Sequence, residues 1–242
     1  MSENIKKNIK AFKVDLDSRE NQSILKPSTR CSNNQVHQVD EVNEVAKKID
    51  KLIKNAPYSN DDIILNHNEI KGAFFSPFKP QLKNAQVFLS HSHADINKAL
   101  EVKNYLENQT KRKVFVDSLF WDYKDDVLNK LAKCDDNDIS RIEDAFTLIL
   151  RESLEYMIKK CPYFVFLQSS NSVSNQWLSR NQDLLKITYS AWIYEELKIA
   201  HSISESRPIP MMESMQVFHD ISPFLKSFET ITLKKLSQQI NS

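Results

Sequence analysis

With 242 residues, 33 basic against 32 acidic side chains and 40% hydrophobic content, the chain suits one ordinary globular domain with an extension, or two small ones; its net charge of +1 supplies no field that would gather nucleic acid. The single glycine, Gly72, excludes a P-loop and a G-x-G-x-x-G dinucleotide fold, which need several glycines to bring backbone close to phosphate. The longest apolar run, Tyr163 to Leu167, is too short to cross a bilayer, and Cys31, Cys134 and Cys161 lack the C-x-x-C pairing of a zinc knuckle.

Residues 1–38 are polar, without a sustained period, and read as a disordered amino terminus. They contain no apolar core of the kind a secretory signal needs, so the expected compartment is the cytoplasm. From Asp40, the residues Val42, Val45, Ala46, Ile49, Leu52, Ile53 and Ala56 recur at spacings of three and four, which predicts an amphipathic helix ending before Pro57. Pro57 to Pro80 reads as an irregular stretch whose Phe74, Phe75 and Phe78 form an aromatic strap, so 39–83 is a helical extension. A βαβ rhythm begins at Ala85. It runs through strand 85–90, helix 96–107, strand 114–117, helices about 125–133 and 140–160, and the apolar strand 163–168. A helix near Ser190, weaker strands at about 208–212 and 228–232, and a closing helix follow. Such alternation implies an α/β fold, a parallel sheet with helices on both faces and ligands at the carboxyl ends of its strands.

Two segments could carry chemistry. Ser90-His91-Ser92-His93-Ala94-Asp95 follows the first strand of that rhythm. Its H-x-H-x-D spacing suggests a zinc hydrolase, but Ile96 stands where a further His is expected, and His201 and His219 belong to no motif. The simpler reading is a polar loop with Asp95 capping the next helix. In the second segment, Ser190 to Ala200, a helical projection puts Ile199, Trp192, Ala200, Ile193 and Leu197 on one apolar arc with Glu196 inside it. Glu195 lies outside the arc and pairs with Lys198, while Ser190 suits a helix N-cap. Desolvation of Glu196 would raise its pKa and fit it for a cleft; the alternative is an edge carboxylate bonded to a backbone amide.

In order, AQVFLSHSHAD, VFVD, CPYFVFLQS and Ser190-x-Trp192-x-x-x-Glu196-Leu197, with Pro210 near an expected fourth strand, resemble the Toll/interleukin-1 receptor (TIR) domain family over residues about 84 to 235. The resemblance implies a flavodoxin-like five-stranded parallel sheet in 84–242 and, in enzymatic members, cleavage of the nicotinamide–ribose bond of NAD. Glu196 would be the catalytic carboxylate. Ser190, Trp192, Ser90, His91, Phe120 and Trp121 would bind the substrate, with no metal and no cofactor beyond NAD itself. It further implies self-association through TIR surfaces, a role as a bacterial immune or toxin-like effector in antiphage defence, and a protein partner for the amino-terminal extension. The rival within the family is a non-enzymatic interaction module. Two departures stand out: the loop SLFWDYKDD after the second strand lacks the usual glycine, and an insertion at about 171–189 precedes the Ser-Trp-Glu element.

Overall fold

The computed structural model describes residues 9–25, 39–56, 58–59, 62–63, 66–74, 76, 84–132, 140–176, 185–204 and 219–242. In chain order these form β1 (Lys10–Asp15), α1 (Arg19–Ile24), α2 (Val39–Lys54), β2 (Tyr58–Ser59), β3 (Asp62–Ile63) and α3 (His67–Phe74). β4 (Ala85–Ser90), a 3-10 turn (His93–Asp95), α4 (Ile96–Thr110), β5 (Lys113–Val116), α5 (Ser118–Leu131), α6 (Ser140–Lys160) and β6 (Tyr163–Gln168) come next. β7 (Ser174–Gln176), β8 (Leu185–Thr188), α7 (Ala191–Ser204), β9 (His219–Asp220), α8 (Ser222–Ser227), β10 (Glu229–Thr230) and α9 (Leu233–Asn241) complete the chain. Two compact units divide it: one holds 1–29, 85–117 and 155–242, the other 30–84 and 118–154.

The first unit is an α/β fold of the flavodoxin-like kind. Its five strands lie parallel in the order β10-β1-β6-β4-β5. Because side chains alternate along a strand, the register assigns each residue to a face. Phe12, Val14, Val87, Leu89, Val114, Val116, Val165 and Leu167 form one buried face. On the other, Phe88 stacks between Phe115 and Phe164 at centroid distances of 5.8 and 5.7 Å, and Phe228 meets Phe164 edge-on. A double-sided apolar sheet of this kind is what parallel strands require when helices cover both faces. α9 packs on α4, tied by Asn241 Nδ2 donating to Gln109 O at 3.1 Å, and the Leu233 amide donates to Asn21 Oδ1 of α1. α7 and α8 pack together, and α7 lies against β1.

In the second unit α2 packs on α3 and α5. Its predicted stripe is buried at Val42, Val45, Ala46, Ile49 and Ile53. Phe74 closes the unit's core, with ring centroids 5.3 Å from Tyr123 and 5.5 Å from Phe146. Glu152 holds both Lys71 (2.8 Å) and His67 (3.2 Å) across to α3.

Several expectations need correction. The amino terminus is not unstructured throughout: β1 is an interior strand, its apolar side supplied by Phe12 and Val14, and Ser18 caps α1 through the Asn21 amide. The sheet therefore does not lie within 84–242 alone. The expected strand at 208–212 lies outside the described residues, and the slot between β6 and β10 is filled by β1. Pro57 to Pro80 is not wholly irregular, since β2 pairs with β3 and α3 follows. The segment after β5 is helical from Ser118 rather than a loop, so α5 begins seven residues before the expected start at 125. The insertion at 171–189 carries β7 and β8, which with β9 make a three-stranded antiparallel sheet.

Candidate functional site

In an open α/β sheet the ligand crevice opens where neighbouring strands send their connections to opposite faces. From β4 the chain moves outward through α4 to β5; from β6 it moves the other way, through α7 and α8 to β10. Right-handed crossovers in opposite directions lie on opposite faces, so the switch point falls between the carboxyl ends of β4 and β6. Ser90, His91, Asp95, Ser169 and Asn171 all stand there.

Ser90 is fully buried, and among the described residues its Oγ has no hydrogen-bond partner. His91 Nδ1 lies 2.6 Å from Ser92 O, and Nε2 lies 3.1 Å from Asp117 Oδ1, with His91 and Asp117 side chains 0% and 5% exposed. Ser92 O can only accept, so Nδ1 carries a proton. With both nitrogens engaged, His91 is not placed to take a proton from Ser90, so no serine–histidine nucleophile forms here. His91 holds the mouths of β4 and β5 together.

Asp95 does not cap α4 with its side chain. The buried carboxylate accepts from Ser169 Oγ at 2.5 Å and Asn171 Nδ2 at 2.9 Å, and so ties the β4 loop to the β6 loop. Ser169 Oγ accepts in turn from the Asn171 and Ser172 amides. Lys98 stands 3.4 Å from Asp17 and 3.8 Å from Asp95, and Asp17 accepts from the Ser170 amide at 2.9 Å. That amide first, then the Lys98 charge, hold the Asp17 carboxyl below its ordinary range against the opposing effect of burial. The H-x-H-x-D segment therefore does not converge: His91 turns to Asp117, exposed His93 opens the 3-10 turn and Asp95 turns to Ser169. Among the described residues no three His, Cys, Asp or Glu side chains gather as a metal cluster would need.

The second segment forms α7 as read. Ser190 Oγ accepts from the Ile193 amide at 3.2 Å and caps the helix, and the Ser190 amide donates to Thr188 Oγ1. Ile193, Glu196, Leu197, Ile199 and Ala200 are buried, with Glu196 0% exposed. Trp192 is half-buried. Glu195 pairs with Lys198 at 3.4 Å on the outer side. β4 and β6 pair Ser90 with Phe166, and β1 and β6 pair Lys13 with Phe166. Lys13, Phe166 and Ser90 thus form one row on one face, about 10 Å long. Lys13 Nζ donates to Leu225 O of α8 at 2.6 Å, which identifies this as the face covered by α7 and α8. Ser90 and the Glu196 helix share that side of the sheet. The side chains of Phe120 and Trp121, which sit on α5, lie outside the described residues.

Sequence reasoning missed Asp117, the knot of Asp95 with Ser169 and Asn171, and Lys13. Asp117 and Ser169 had a signal: each is a short polar side chain directly following an apolar strand. Lys13 had none, because its strand went unread. No model of a known family, no curated protein and no solved structure matches the chain.

Proposed function

We propose that the chain cleaves the nicotinamide–ribose bond of NAD, as a TIR-type glycohydrolase or cyclase acting in the cytoplasm. Glu196 carries the reading: a carboxylate with no solvent exposure, in the first half of a capped helix, over the face of the sheet that holds Ser90 at the ligand end. Breaking the glycosidic bond builds positive charge on the ribose carbon, and a fixed, desolvated carboxylate beside it stabilises that charge. The leaving group is a neutral pyridine, so no second acid is needed. Ser90, buried with an unused hydroxyl, suits contact with a polar substrate group. His91 serves as a positioning residue rather than a substrate ligand, since both its nitrogens are bound within the protein. Ser190 and Trp192 shape the start of the helix that bears Glu196.

The test is nicotinamide release from NAD by concentrated protein, wild type beside Glu196→Gln. Release that the substitution abolishes supports the enzyme. No release from either, even when the chain is forced to self-associate, leaves the interaction module as the better reading. Activity should rise more steeply than protein concentration if assembly completes the site.

A further inference from the structure

Among the described residues three large apolar side chains stand open to solvent, Leu148, Tyr156 and Tyr189, and Tyr189 is the most exposed at 67%. Leu148 and Tyr156 lie on α6. Tyr189 stands at the ligand end of the first unit, immediately before the Ser190 cap of α7. Its place there follows from the register of the small sheet. β7 leaves the carboxyl end of β6 through the Ser169–Ser172 turn and pairs antiparallel with β8, Ser174 opposite Ile187. Ser172 precedes Ser174 by two residues and Tyr189 follows Ile187 by two, so the antiparallel run carries both to the same end, beside the turn that Asp95 ties to the β4 loop. The backbone is held on either side of Tyr189. Thr188 pairs with His219 and accepts from the Ser190 amide, and Ser190 Oγ accepts from the Ile193 amide. Ile187 and Thr188 are buried, and the chain turns outward at Tyr189. An aromatic ring exposed on a pinned backbone loses little freedom when a second ring is laid on it. Burial then deepens along the chain: Tyr189 is exposed, Trp192 half-buried and Glu196 fully buried. A helical rise of about 10 Å thus leads from an open aromatic ring to a sequestered carboxylate.

We propose that Tyr189 is the platform on which the adenine ring of a dinucleotide stacks, and that it sets the preference for a ligand carrying a second base. The inference rests on the NAD reading for assigning Glu196 to the nicotinamide end, and extends it by placing the opposite end of the substrate. In a dinucleotide the two bases are held apart by two riboses and a diphosphate. A ligand whose nicotinamide ribose meets Glu196 therefore leaves its adenine at the rim rather than in the interior. A base at the rim needs a flat apolar surface, and stacking of this kind accepts any base because each has a π-face. Tyrosine supplies that surface with a hydroxyl that keeps its edge in water. The adenine is remote from the bond that breaks, so the contact is made equally in the bound substrate and in the transition state. It lowers KM without raising kcat.

The experiment uses the full chain, wild type beside Tyr189→Ser, Tyr189→Phe and, as a control at the other exposed tyrosine of this unit, Tyr156→Ser. Isothermal titration with ADP-ribose, which carries adenine, and with ribose phosphate, which carries no base, reads stacking without any turnover. We expect Tyr189→Ser to bind ADP-ribose about tenfold more weakly, the loss of one base–aromatic contact. Tyr189→Phe and Tyr156→Ser should bind it as wild type does, and ribose phosphate should distinguish none of the four. In the cleavage assay, KM for NAD should rise about tenfold in Tyr189→Ser at unchanged kcat, while KM for nicotinamide mononucleotide, which lacks the adenylate, should not move. ADP-ribose binding with this pattern, while no variant releases nicotinamide, supports the platform and removes the glycohydrolase reading. Absence of ADP-ribose binding by wild type, or equal binding by Tyr189→Ser, overturns the proposal even where NAD is cleaved in a Glu196-dependent way.

Discussion

The imidazole of His91 and the carboxylate of Asp117 meet at 3.1 Å inside the protein, joining the ends of two neighbouring strands. Removing one partner of such a buried pair takes a polar contact from a group that has little access to water. We predict that Asp117→Ala lowers the unfolding free energy by about 3 kcal/mol, measured by urea denaturation. The double variant His91→Gln/Asp117→Asn should cost less than the two single changes together, because the residues act as one unit. A loss below about 1 kcal/mol in Asp117→Ala would mean that the contact is idle.

The amino-terminal strand makes a second prediction. Phe12 is 2% exposed and Val14 0%. A chain truncated to begin at Val39, as the polar composition would invite, should lose its cooperative unfolding transition in circular dichroism. Phe12→Ala in the full chain should cost about 3–5 kcal/mol through lost burial and the cavity left behind. A truncated chain that still unfolds cooperatively at the wild-type midpoint would refute the strand's interior placement.

Cys161 offers a pH-dependent test. Burial pushes its thiol up from 9.0 to about 12, against a weaker opposing effect of Lys160. The folded protein therefore keeps a proton that the unfolded chain releases above 9.0. The stability that this provides is complete below 9.0 and is lost as the pH rises from there to about 12. In a Cys31→Ser/Cys134→Ser background, the remaining thiol should resist a disulfide reagent at pH 8 and react at once in denaturant. Rapid labelling of the native protein would show that the thiol is open to solvent.

Lys111 ends α4 in the left-handed region, at φ 57°, where glycine is the usual choice. Its amide returns to Glu107 O at 3.0 Å, so the cap is formed despite the side chain. Lys111→Gly relieves the clash between Cβ and carbonyl and should raise stability by about 1 kcal/mol, seen as a higher urea midpoint with an unchanged slope. A lower midpoint would show that the side chain contributes more than its backbone strain costs.

How much of this was legible in the sequence depended on what each element faces. β4, β6 and α6 were read to the residue, because uninterrupted apolar runs and a long 3.6-residue period leave little choice. The α7 segment was legible down to one side chain: the projection that put Glu196 on the apolar arc and Glu195 outside it matches the buried and paired states found. β1 escaped because only one of its faces is apolar. Phe12, Val14 and Leu16 alternate at period two, but Lys13 and Asp15 interleave them, and lysine-rich polar sequence precedes them. The start of α5 escaped because Ser118 to Asp122 carries bulky and acidic residues that read equally well as a loop. The Asp95 knot could not be read, since Asp95 and Asn171 are 76 positions apart and meet only when β6 lies beside β4.

The placement of β1 between β6 and β10 has a consequence for how the chain must assemble during synthesis. Lys10–Asp15 is made before its hydrogen-bonding neighbours, Tyr163–Gln168 and Glu229–Thr230, which leave the ribosome about 150 and about 220 residues later. Until then its amides and carbonyls face water or other partners, and the sheet can close only by admitting this strand into an interior gap. Pairings so distant along the chain are slow to form. The growing polypeptide thus carries an unsatisfied strand edge while the residues between β1 and β6 are made, and the last strand of the sheet decides when its other edge is covered.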